Sequence, residues 1–205
     1  MKRLIPALAV LLAITTITTI ACGQAMKKPD IKLNPHPKMR YEITLTIENA
    51  PGPFDAVEGS LDYQVQNDRC VPLQPVSGAK PTPSKHLPLA FTRISDKVYK
   101  GEFYADLLQD EDYFGLGICR WSLTFASAYL NVGNWKFGPF ISLEDILASK
   151  PVTRYFNNES YFSEEAKSKR SDNPPATDDG RTHRSDFKEP KNTFSTTLVG
   201  REKFQ

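Results

Sequence analysis

Cys119-Arg120-Trp121-Ser122-Leu123-Thr124-Phe125-Ala126-Ser127-Ala128-Tyr129 is the longest alternating stretch of the chain, and how it is read decides the fold. Cys119, Trp121, Leu123, Phe125 and Tyr129 fall on one face, and Arg120, Ser122 and Thr124 on the other. That is the two-residue period of a half-buried β-strand. This strand is expected at the centre of a sheet.

Shorter stretches on either side repeat the signal. Tyr41, Ile43, Leu45 and Ile47 share one face of a strand that ends before Ala50-Pro51-Gly52-Pro53. Alternation then resumes with Val57, Leu61, Tyr63 and Val65 turned in and Glu58, Ser60, Asp62 and Gln64 turned out, ending near Asn67-Asp68. A Pro- and Ser-rich loop leads into Leu87, Leu89 and Phe91, a tight turn at Ser95-Asp96-Lys97, and a partner strand from Val98 to Ala105. Phe137 to Ile141 and Val152 to Phe156 are further extended pieces. One helix has a mechanism: Ser142 caps Leu143-Glu144-Asp145-Ile146-Leu147, Asp145 is the capping-box acid, and Pro151 prevents continuation.

The 205 residues are 40% hydrophobic and 24% charged, a globular composition of single-domain size, and 16 Pro, 12 Phe and 8 Tyr favour extended elements and turns. These observations predict an all-β sandwich, immunoglobulin-like or transthyretin-like, with one short helix. Between Glu164 and Lys191 seven acidic and seven basic residues accompany Pro174-Pro175 and a single aromatic, Phe187. Residues 157–192 therefore read as a long, flexible, mixed-charge loop near the C-terminus. Thr193 to Val199 returns to β composition. The expected organisation is a leader over 1–21, a tether over 22–38, the sandwich over 39–156, the loop over 157–192, and a final strand and tail over 193–205.

The leader begins with Met1-Lys2-Arg3 and continues through an apolar run from Leu4 to Ile20, with no acidic residue before Asp30. This is the pattern of a secretory signal. Thr19-Ile20-Ala21-Cys22 resembles the bacterial lipobox, which implies acylation of Cys22 and a lipid anchor in the membrane. Gly23 after the cysteine favours the periplasmic face of the outer membrane. The alternative is ordinary cleavage after Ala25, which leaves a soluble periplasmic protein. With Cys22 acylated or removed, Cys70 and Cys119 remain as one pair, expected to form a disulfide in an oxidising compartment.

With Lys2 and Arg3 set aside from the 26 basic residues, 24 remain against 24 acidic ones, a balance that argues against nucleic acid as a partner. His36, His86 and His183 each stand apart from any nucleophile or ligand set. Gly-x-Ser-x-Gly, Walker and His-Glu-x-x-His motifs do not occur in the sequence. No catalytic residue, metal ligand or cofactor is implied. Two segments have the character of protein-binding loops. Asp110-Glu111-Asp112 followed by Tyr113 and Phe114 combines charge with aromatics, and Phe54 sits among prolines and glycine.

Tyr41 through Phe54, the corner Asn67-Asp68-Arg69-Cys70-Val71-Pro72, Val98-Tyr99-Lys100-Gly101 and Gly117-Ile118-Cys119-Arg120-Trp121-Ser122-Leu123 together resemble a group of small lipoproteins of Gram-negative bacteria. Their genes often sit beside those of toxins delivered by type VI or type IV secretion systems. The resemblance covers roughly residues 40 to 156 and includes both cysteines. It implies a non-catalytic, immunity-type role, in which the protein binds and neutralises a toxin encoded nearby. A structural or accessory envelope role is the alternative.

Overall fold

In a computed structural model of the chain, the described residues are 29–74, 77–168 and 175–204. The proposed leader and Cys22 lie outside them. The strands, in chain order, are β1 (Arg40–Glu48), β2 (Ala56–Val65), β3 (Ser84–Leu89), β4 (Phe91–Arg93), β5 (Val98–Tyr104), β6 (Trp121–Val132), β7 (Trp135–Phe137) and β8 (Phe140–Ser142). Helix α1 (Leu143–Leu147), β9 (Val152–Asn157), α2 (Asn158–Tyr161), α3 (Glu164–Lys167), β10 (Ala176–Asp178) and β11 (Thr193–Glu202) follow. One sheet has the order β4-β5-β1-β11-β9. The other has the order β10-β7-β6-β2-β3, with β8 also paired to β6. All the pairings are antiparallel except β10 with β7.

The two sheets close over one apolar core, an all-β sandwich. β1 contributes Tyr41, Ile43, Leu45 and Ile47, and β11 contributes Phe194 and Leu198. Facing them are Leu61 and Tyr63 of β2, Ala126, Ala128 and Leu130 of β6, and Phe137 and Ile141. Burying each of the larger aliphatic side chains contributes roughly 1.5–3 kcal/mol. Phe137, Phe156 and Phe194 form an aromatic knot with centroids 5.0 to 5.3 Å apart. The sequence-based strands at both ends of the chain and the single capped helix are in place. The Ser142 hydroxyl accepts the Asp145 N–H at 3.1 Å and starts α1.

Four expectations need correction. First, Phe125 and Tyr129 do not share the inner face with Leu123. The register of β6 against β2 slips at Thr124, so Ala126, Ala128 and Leu130 take the core positions. Phe125 turns outward against Phe140, with centroids 5.8 Å apart. Second, Trp121 is half-buried where β6 begins, packed against the edge of the core rather than within it.

Third, the described part of the tether is docked. Asn34 N–H donates to the Leu107 carbonyl at 2.8 Å, and Gln109 N–H donates to that of Lys32 at 3.0 Å. Leu33 bridges Leu108, and Asp106 accepts the N–H groups of Lys38 and Met39 at 2.9 and 3.0 Å. Ile31 and Leu33 alternate over too short a run to read as a strand, and Leu33 is exposed, so the strap is held by these backbone hydrogen bonds and by Asp106. Among the described residues, the core members lie between Ile31 and Leu198.

Fourth, the segment expected as a featureless loop carries elements. Asn157 and Ser163 cap α2 and α3 by accepting the N–H groups of Glu159 at 3.0 Å and Ala166 at 3.1 Å. Tyr161 donates to the Pro53 carbonyl and packs on Phe54. The backbones of Tyr155 and Arg181 exchange both hydrogen bonds at 2.9 Å, which ties the segment to the β9 edge.

Candidate functional site

The two loops singled out from sequence lie at opposite ends of the sandwich. β2 runs for ten residues from the Phe54 end to the disulfide end, a span of about 33 Å. One surface cannot include both.

At the disulfide end, Cys70 and Cys119 are bonded, with an S–S distance of 2.03 Å, and close a second small core with Val65 and Val71. Tyr113, Phe114 and Trp121 pack around it. Asn67 clamps the neighbouring chain from both sides: its Nδ2 donates to the Ile118 carbonyl at 2.8 Å and its Oδ1 accepts the Arg120 N–H at 2.7 Å.

All three acidic residues of the loop are engaged in building it. Asp110 accepts the Trp121 N–H at 2.8 Å, and Glu111 forms an ion pair with Lys32 of the strap at 2.7 Å. Asp112 accepts the Leu116 N–H at 3.0 Å. Partial burial pushes the Asp112 carboxyl up, but the backbone N–H groups of Gly117, Gly115, Leu116 and Phe114 more than reverse this and hold it below the usual aspartate range. Between Gly115 (φ 74°) and Gly117 (φ 105°) the tip stands clear of the rest of the protein.

The apolar residues exposed there are Leu116 at 52% and Ile118 at 58%, with Leu73, just past Cys70, at 58%. Sequence reasoning placed the aromatics Tyr113 and Phe114 in this role and missed these aliphatic residues. The signal that could have found them is Gly115-Leu116-Gly117-Ile118, where apolar side chains alternate with glycine in a segment too irregular to pair.

At the other end, the 49–54 loop and the turn between β4 and β5 form the walls of a groove of about 450 Å³. Asn49, Gly52 and Phe54 line one wall, and Arg93, Asp96 and Lys97 the other. Asn49 holds a left-handed backbone at φ 58°. The Phe54 ring is fixed by Phe137, Tyr161 and Phe194 at 5.9 to 6.1 Å, so the wall is rigid. Arg93 pairs with Asp96 at 2.6 Å, while Lys97 has no ion pair among the described residues. Arg93 and Lys97 against Asp96 leave the rim one positive charge in excess.

His86 Nδ1 bonds the buried Asp62 carboxylate on the outer face of β2, and the Ser60 hydroxyl lies 3.4 Å from the other oxygen of the same group. Serine and histidine both turn to the aspartate and not to each other, an arrangement that does not activate the hydroxyl. His36 and His183 are exposed. Among the described residues no three of His, Cys, Asp and Glu gather as a ligand set for a metal. Compared with known proteins, the chain matches no protein-family model, no curated protein and no solved structure. Neither the immunoglobulin-like nor the transthyretin-like architecture therefore gains a counterpart.

Proposed function

We propose that this chain is an exported, lipid-anchored protein of the outer membrane, facing the periplasm, that binds a protein partner without catalysing a reaction. The partner is a secreted antibacterial toxin, which it neutralises. The leader, Cys22 and the resemblance to lipoproteins encoded beside toxin genes support this reading. The observation that carries it in three dimensions is the groove between the 49–54 loop and the β4–β5 turn. One wall is locked by aromatic packing and the other carries charge, so little ordering cost opposes a protein that enters. The strap docks at the opposite end, which leaves this groove facing away from the end at which the described chain begins. The positive excess on its rim suits an acidic partner surface.

The test is a titration of the chain lacking residues 1–25 against the product of each neighbouring gene. Nanomolar binding to one of them, with loss of its toxicity, and about tenfold weaker binding for Lys97→Glu are expected. Retention on cell-wall or outer-membrane material with no partner among the neighbours would move the chain to the structural envelope role.

A further inference from the structure

Leu116, Ile118 and Leu73 present an exposed apolar end on a protein whose other large aliphatic residues are mostly buried. The tip is anchored from below by the disulfide, by both bonds of Asn67 and by Asp112, so these side chains are displayed in a fixed arrangement. The strap passes beside it: Lys32 pairs with Glu111, whose backbone bonds that of Cys119. The described chain therefore begins at this same end. From Asp30 back to Cys22 the chain can span at most about 30 Å. A membrane holding that part of the chain lies within reach of the tip and nowhere near the groove.

We propose that the 112–118 tip, with Leu73 beside it, docks on the surface of a lipid bilayer. This goes beyond the partner-binding reading and gives the two ends separate tasks: one rests on the membrane and the other faces away from it. The charges at this end fit a contact made by apolar insertion. Glu111 is neutralised by Lys32, and Asp68 lies 3.8 Å from Lys80. Arg69 and Arg120, each adjacent to a cysteine and without an ion pair among the described residues, offset Asp110 and Asp112. Headgroup charge then neither drives nor opposes docking, and the contact depends little on salt.

The test uses the chain lacking residues 1–25, which retains every core residue among those described, with vesicles of phosphatidylethanolamine and phosphatidylcholine. The protein should float with the vesicles in low and high salt alike. Each of Leu116→Asp and Ile118→Asp should lower the partition coefficient by at least about tenfold, and Ile94→Asp at the opposite end should leave it unchanged. Emission of Leu116→Trp should be quenched by brominated lipid, and that of Ile94→Trp should not. The proposal is overturned if the protein stays with the aqueous phase, or if the aspartate variants float as the parent does. It also falls if those variants weaken binding to a toxin while vesicles have no effect, because the tip would then be a protein contact. Failure on vesicles leaves the groove titration untouched, so the two readings fail separately.

Discussion

Asp62 of β2 stands directly opposite Phe125 of β6, and the next pair along the same strands is Tyr63 with Leu123, so Thr124 has no partner. This bulge changes which face of β6 meets the core. Leu123 points in before it, and Ala126, Ala128 and Leu130 point in after it. Deleting Thr124 would remove the bulge and leave Leu123, Ala126, Ala128 and Leu130 in one unbroken alternation, all turned in, so the cooperative thermal transition by circular dichroism should survive. Deleting the paired Ser127 instead should abolish that transition, since a one-residue slip turns Ala128 and Leu130 outward. Thr124→Val tests the side chain alone. The Thr124 hydroxyl is buried without a hydrogen-bond partner, so this variant should match the parent or gain up to about 1 kcal/mol in urea unfolding. A clear loss would mean that the hydroxyl is satisfied.

The disulfide joins residues 49 apart in sequence, and it links the end of β2 to the start of β6. Closing a loop of that length removes about 4 kcal/mol of chain entropy from the unfolded state. Cys70→Ala with Cys119→Ala should lose a comparable amount in urea unfolding and keep the strand signature of its far-ultraviolet spectrum. The main core does not include either cysteine. Collapse of that spectrum would show that the small core around Val65 and Val71 is needed for the sandwich to form.

The alternation of β1 and β2, the Ser142 cap and the pairing of the two remaining cysteines were all legible because each is a local pattern. The bulge was not. Phe125 and Tyr129 continue the apolar parity of Leu123 on the wrong face, where Phe140 covers one and the Lys136 ammonium lies 5.2 Å over the other. Nor could local pattern place β11 between β1 and β9, because its partners are set by packing across the whole chain. The candidate sites were half visible. Phe54 does belong to a groove wall, but the opposing Arg93 to Lys97 turn meets it only through the fold. The run Asp110 to Asp112 looked like an outward surface because sequence does not show that backbone N–H groups and Lys32 already satisfy it.

Gly133 turns the chain between β6 and β7 with φ 53°, and a side chain there would run into the backbone carbonyls of Ala166 and Ser168. Gly133→Ala should cost about 2–3 kcal/mol, combining the left-handed conformation with the need to displace α3. Gly115→Ala carries the same conformational cost at φ 74°, but nothing lies near its added methyl, so about 1 kcal/mol is expected. Urea midpoints measure both. Limited trypsin digestion should cut faster after Lys167 in the first variant only. Equal losses in the two would remove the argument that the 164–168 backbone packs on the turn.

Two carboxylates should bend the stability profile with pH in opposite directions. Hydrogen bonds from Lys203 and Arg40 hold the Glu102 carboxyl below its ordinary value, which makes the ionised form favourable to the fold. That contribution is present above the unfolded value of about 4.3 and is lost as pH falls through the lower folded value. Glu102→Gln should therefore melt earlier than the parent at neutral pH, and the gap should close in acid. Asp178 is the reverse case. Burial, aided by Asp179, raises its carboxyl against the pull of the Gly180 N–H, so its ionised form opposes folding. The cost is absent below the unfolded value of about 3.9 and grows as pH rises toward the folded one. Asp178→Asn keeps an oxygen for the Gly180 N–H, bonded at 2.9 Å in the parent, and should melt later than the parent at neutral pH. That advantage should vanish near pH 4. Melting curves of the two variants across this range would refute the assignment if their differences from the parent shared a sign.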